Sequence, residues 1–156
     1  MHVKKISYGG LVSSLVILLL YVGNFTKSKF FFAALCSVFV GLLVEMFGKS
    51  AISLIAAIGI LSFLIVPNPG YVLVFLALSF YTFFRKRSLI TRFAYLNASF
   101  FILSMVAVKF FNVSFPNVPP ILYVFGIAGL QVAFFIYDYL YNRMINYLIS
   151  FVKERK

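Results

Sequence analysis

Six long apolar runs, divided only by short polar, Pro or Gly punctuation, dominate this chain and decide what it can fold into. Each is roughly 14 to 23 residues long, the size of a helix that crosses a bilayer. They cover residues 6–23, 30–47, 51–66, 71–84, 89–111 and 121–141. The composition agrees: 63% of residues are hydrophobic and 11% charged, against about half and about a quarter in soluble domains.

The expected fold is therefore an all-α integral membrane protein, a compact bundle of six transmembrane helices forming a single domain over residues 1–156. The third and fourth runs are short, and Pro67, Asn68, Pro69 and Gly70 between them carry tight-turn chemistry, which predicts a helical hairpin. Lys4 and Lys5 before the first run resemble the start of a secretory signal. No small-x-small cleavage site follows, so the first segment is read as retained.

Charge sets the orientation. With six spans and a cytoplasmic N-terminus, eleven of the 14 Lys and Arg residues fall on the inner side, among them Lys49, Arg85, Lys86, Arg87, Arg92 and Arg143. Only Lys27, Lys29 and Lys109 fall outside, so the positive-inside rule favours six spans over five, with both termini cytoplasmic. The net charge of +11 flanks lipid spans and meets anionic headgroups, which argues for membrane lipids and against nucleic acid as a partner. Residues 142–156 form a basic amphipathic tail: Met144, Ile145, Leu148, Phe151 and Val152 share one face beside Arg143, Lys153, Arg155 and Lys156, placing it along the inner interface. Ten Tyr and no Trp occur, and Tyr8, Tyr21, Tyr71, Tyr81, Tyr123, Tyr139 and Tyr141 near the span ends read as interfacial belts.

The inventory for catalysis is nearly empty. His2 is the one histidine, and the acids are Glu45, Asp138 and Glu154. No nucleophile–base set or metal-ligand spacing can be assembled, so neither an enzyme nor a metal or other cofactor is expected. The "GKS" of Gly48–Ser50 lacks the rest of a phosphate-binding loop, since Leu43 stands where that loop needs glycine. Cys36 is read as packing. Asn24, Asn97 and Asn112 head glycosylation-like triplets that are read as coincidental.

Glu45 and Asp138 both fall about one turn from the inner boundary, where Arg85, Arg92 or Arg143 is placed to neutralise them; a coupling or partner contact is the alternative. No acid sits near the membrane midplane and no ATP site is present, so a transported solute would need energy from elsewhere. In the outer half, Lys109 either anchors an anionic solute or snorkels outward. Asn97 and Gln131 either serve a site or join helices by hydrogen bonds.

Near the start of the first run, Gly9 and Gly10 precede Ser13 and Ser14 by one helical turn. Small residues let membrane helices approach closely, and the partner is either another span of this chain or a separate protein.

This layout resembles the substrate-binding S components of energy-coupling factor (ECF) vitamin transporters, small six-helix bacterial membrane proteins with both termini cytoplasmic. The resemblance covers the chain in topology. It is sharpest where Gly9-x-x-x-Ser13 and Gly10-x-x-x-Ser14 match the family's small-xxx-small pattern, with Gly and Ser in place of Ala. It implies a subunit in the bacterial cell membrane that binds a vitamin or other small-molecule micronutrient, and that docks through Gly9, Gly10, Ser13 and Ser14 on a transmembrane coupling subunit driven by ATPases. It further implies an outer pocket involving Lys109, Asn112, Asn117, Tyr123 and Gln131, covered by the loops around residues 24–29 and 67–70. No vitamin-specific motif identifies the solute. The chain is also similar in size, hydrophobicity and basic tail to the MreD family of rod-shape proteins, which implies the alternative of a non-transporting scaffold for cell-wall machinery. A hydrated outer cavity with converging polar groups favours the first reading and apolar filling between the last three helices the second.

Overall fold

The computed structural model describes residues 2–111 and 119–154. It is all-helical over those residues: α1 (His2–Asn24), α2 (Lys29–Phe47), α3 (Ala51–Ile65), α4 (Pro69–Phe80), α5 (Leu89–Phe111) and α6 (Pro120–Glu154), with single 3₁₀ turns at Gly48–Ser50 and Tyr81–Phe83. The helices coincide with the apolar runs because those runs contain no internal proline and are bounded by residues that end helices.

Two joints show this locally. At the end of α2, Gly48 takes a positive φ of 61°, a conformation that costs glycine little, and the chain turns through one 3₁₀ turn into α3. The "GKS" segment is thus a helix joint. Between α3 and α4, Asn68 caps α4: its Oδ1 accepts the Tyr71 backbone N–H at 3.1 Å, with Pro69 in the first turn. The expected hairpin is present.

Four helical stretches are long and apolar enough to cross a membrane: Ser7–Asn24, Lys29–Ile65, which joins α2 to α3, Leu89–Phe110 and Ile121–Phe151. The Pro69–Phe83 stretch is apolar but shorter. At about 1.5 Å per residue, the 15-residue α3 reaches about 22 Å, short of a hydrocarbon core of about 30 Å.

The core has two parts that share α2. The larger joins α1 to α4, with Val16, Leu20, Cys36, Val40, Leu43, Ile55, Ile58, Val72 and Phe75 buried in it. The smaller brings α5 and α6 against the other side of α2, with Val38, Tyr81, Leu96, Tyr141 and Ile145 buried together. Here the chain departs from the belt expectation for three tyrosines. Tyr81 and Tyr141 are 0% and 1% exposed and Tyr71 is buried, because side-chain partners for the first two lie inside the bundle, whereas Tyr8, Tyr21, Tyr123 and Tyr139 do stand exposed.

The α2–α6 crossing depends on Gly41. A Cβ there would overlap Ile145 and the Tyr141 hydroxyl. One turn earlier, Ser37 hydrogen-bonds the Tyr137 hydroxyl at 3.0 Å, and its carbonyl accepts from Tyr141 at 3.4 Å. Ser37-x-x-x-Gly41 is thus the small-residue face of this contact. α6 continues unbroken through residue 142, and Ile145 is fully buried with Leu148 and Ile149 packed beside it. The first turns of the tail therefore belong to the bundle, while Met144 and Phe151 stay exposed.

Candidate functional site

The two ends of the bundle differ chemically. At the end marked by Arg85 and Lys86, acids and bases that lie far apart in the sequence meet in space. Glu45, from the last turn of α2, pairs with Arg85 at 3.2 Å and Lys86 at 3.0 Å. Arg85 continues to Asn142 at 3.0 Å and to Asn146, tying the α4–α5 connection to α6. Asp138 pairs with Arg92 at 2.5 Å and also accepts hydrogen bonds from the Tyr81 hydroxyl and from Asn142 at 3.2 Å. Tyr141 meets Thr82, and Tyr95 donates to the Ala77 carbonyl at 2.7 Å.

The neutralisation expected of Arg85 and Arg92 is what the geometry has. Arg143 instead donates to the Tyr139 hydroxyl at 2.9 Å, because it faces away from Asp138 along its own helix. The Asp138 and Arg92 side chains are only 11% and 17% exposed. Both charges are thus compensated away from water, and the network clamps α2, α4, α5 and α6 together. Each acid whose side chain is described is engaged by a cation, and no group of three His, Cys, Asp or Glu among the described residues is arranged to hold a metal ion.

Away from this end α5 and α6 pair antiparallel. Phe93 lies on Phe135 with ring centroids 4.3 Å apart, and Phe100 meets Phe134 edge-on at 6.5 Å. Between them Gln131 donates to Asn97 at 2.7 Å, and Asn97 donates back at 3.4 Å and to the Phe93 carbonyl at 2.9 Å. Gln131 and Asn97 thus join the two helices. Beyond that pair, toward Lys109, one face of α5 carrying Phe100, Phe101, Ser104, Met105, Val108 and Lys109 forms an open, almost wholly apolar groove of about 410 Å³.

Of the residues expected in an outer pocket, the structure places Lys109 on this groove, exposed, at the far end of α5. Tyr123 is exposed on the first turn of α6. Asn112 and Asn117 lie outside the described residues. The groove-lining face of α5 was not anticipated, although a signal existed: residues 100, 104 and 108 follow an i, i+4 pattern, as do 101, 105 and 109, so the two rows flank one face that ends in the lysine.

The small-residue patch on α1 divides. Gly9 is buried, and a Cβ on it would lie 2.9 Å from the Phe47 ring, so it is a contact within the bundle. Ser13 is half-buried on the same side, with its hydroxyl oxygen covered. Gly10 has nothing within 4 Å of a Cβ, and Ser14 is exposed. One row thus packs internally and the other points out of the bundle.

No protein-family model matches the chain, and neither does any curated protein or solved structure.

Proposed function

We propose that the chain is a membrane-embedded solute-binding subunit, similar to an S component, of a bacterial ATP-driven importer. The single observation that carries this reading is the groove beneath Lys109. Its volume of about 410 Å³ lies within the range of small-ligand sites, and its walls are the apolar and aromatic side chains of one open face of α5. In this account all six helices cross the cell membrane, the bilayer thinning around the short α3–α4 hairpin, both termini are cytoplasmic, and the Arg85–Glu45 end faces inward by the positive-inside rule. The clamp at that end leaves the opposite end of α5 and α6 free to receive a solute. The outward row of Gly10 and Ser14 then lies at the cytoplasmic end of α1, open to a partner helix.

The scaffold reading has its own support in the Asn97–Gln131 pair, which uses polar groups to join helices and leaves the groove nearly all apolar. Affinity purification of the tagged full-length protein from native membranes separates the two. A transmembrane coupling subunit and ATPases are expected to co-purify. Gly10→Leu combined with Ser14→Leu is expected to abolish their recovery while leaving thermal unfolding in detergent unchanged. Recovery of cell-wall synthesis proteins, with no ATPase, would sink the importer reading.

A further inference from the structure

The apolar perimeter of the bundle has two heights. On α3, which belongs to the larger core, the exposed apolar side chains run from Ile52 to Ile65, about 20 Å at about 1.5 Å rise per residue. On α5, which packs on the smaller core, they run from Ile90 to Phe110, about 30 Å by the same rise. The second height matches a hydrocarbon core of about 30 Å, and the first falls short of it by about a third.

The fold fixes the short face at both ends. Gly9 of α1 meets Phe47 and Leu54 at one level, and Gly23 lies under Tyr71 and Phe32 at the other. Those two glycines stand about 21 Å apart along α1 at the rise of an α-helix, so the neighbouring helix ties the hairpin at the same spacing. Nor can α3 gain a turn, because Gly48 reverses the chain before it with a φ of 61° and Val66 is already extended ahead of Pro67.

A span shorter than its bilayer is accommodated by snorkelling side chains, by association with another protein or by thinning of the lipid around it. Lys49 can reach outward at the Gly48 end, but residues 66–70 at the other end hold no Lys or Arg. Toward that end the exposed side chains of α3 are Ile60, Leu61, Phe63, Leu64 and Ile65, none of them small enough to let a second helix approach closely. We propose that this flank is a lipid-selective surface: it gathers phospholipids with short acyl chains, whose thinner bilayer matches α3, while the α5 flank takes chains of ordinary length. This inference rests on the reading that α3 and α4 cross the membrane, and it names the lipid that the crossing requires.

The chain contains no tryptophan, so one introduced indole reports only its own surroundings. Ile60→Trp and Phe101→Trp place it near the middle of α3 and of α5, at positions 64% and 62% exposed. Each full-length variant is reconstituted in dioleoyl phosphatidylcholine brominated on its chains, which quenches the indole, and the quencher is diluted with dimyristoleoyl or with dierucoyl phosphatidylcholine. At Ile60→Trp the short-chain lipid is expected to displace the quencher at least about twofold better than the long-chain lipid, and at Phe101→Trp to have no such advantage. Leu64→Trp, one turn on along the same face, gives the same reading where Ile60→Trp does not fold. Equal ratios on the two helices, with both indoles quenched, overturn the proposal and leave α3 crossing the membrane. An indole on α3 that brominated lipid does not quench overturns both, since α3 is then covered by protein or lies outside the bilayer. Co-purification of ATPases stands or falls independently of either result.

Discussion

Replacing Asp138 with Ala is expected to destabilise the protein by about 3–5 kcal/mol, the usual cost of stripping one partner from a buried ion pair. Asp138 is the acceptor on which three donors converge, Arg92, Tyr81 and Asn142, in a place where neither member of the ion pair is more than about one-sixth exposed. Its removal leaves the Arg92 charge unpaired, and the Arg92 Nε has no hydrogen-bond partner among the described residues even in the intact network. Asp138→Asn keeps an acceptor for the Tyr81 hydroxyl and loses only the charge, so it is expected to cost less. Combining Asp138→Leu with Arg92→Met removes both charges and is expected to recover most of the loss, because well-packed apolar residues often replace a buried pair without penalty. Unfolding by denaturing detergent, followed by circular dichroism, measures the series. Equal stability of Asp138→Ala and the native sequence would mean that the clamp does not exist.

The second large effect is expected at Gly41. Even alanine there brings a Cβ onto Ile145 and the Tyr141 hydroxyl. The end of Ile145 can turn aside, but Tyr141 is held by Thr82 and by the Ser37 carbonyl. Gly41→Ala is therefore expected to cost about 1–3 kcal/mol, in the range of core overpacking, and Gly41→Leu more. Tyr141→Phe removes the atom in the way, so adding it to Gly41→Ala is expected to return part of the stability. Additive losses in the same unfolding titration would show that residues 41 and 141 do not touch.

Most of the helix boundaries can be read from the chain because they depend on local chemistry. Apolar runs without proline form helices wherever they lie, and Asn68-Pro69 announces a helix start whatever packs around it. The neutralisation of Glu45 and Asp138 is legible for a related reason: an ion in a span needs a partner at its own depth, and depth follows from residue count. The tyrosines are different. Tyr81 and Tyr139 both sit near the end of an apolar run, yet one is buried against Asp138 and the other exposed. That difference depends on which helix passes beside each, and no local pattern carries it. Ser37-x-x-x-Gly41 is an intermediate case, since its spacing marks a helix contact while its partner, α6, lies a hundred residues away. Gly9 and Gly10 divide for the same reason: a helix presents adjacent residues to different sides, and the sequence does not say which side meets Phe47.

The account as a whole turns on orientation, with the Lys109 groove opening to the outside and the Arg85–Glu45 end lying in the cytoplasm. Single cysteines introduced at Lys27 and at Arg87, both exposed, report this in a Cys36→Ala background, since Cys36 is the only native thiol. In intact cells a membrane-impermeant maleimide is expected to label Lys27→Cys at once and Arg87→Cys only after permeabilisation. Labelling of Arg87→Cys from outside, with Lys27→Cys protected, would invert the protein and contradict the importer.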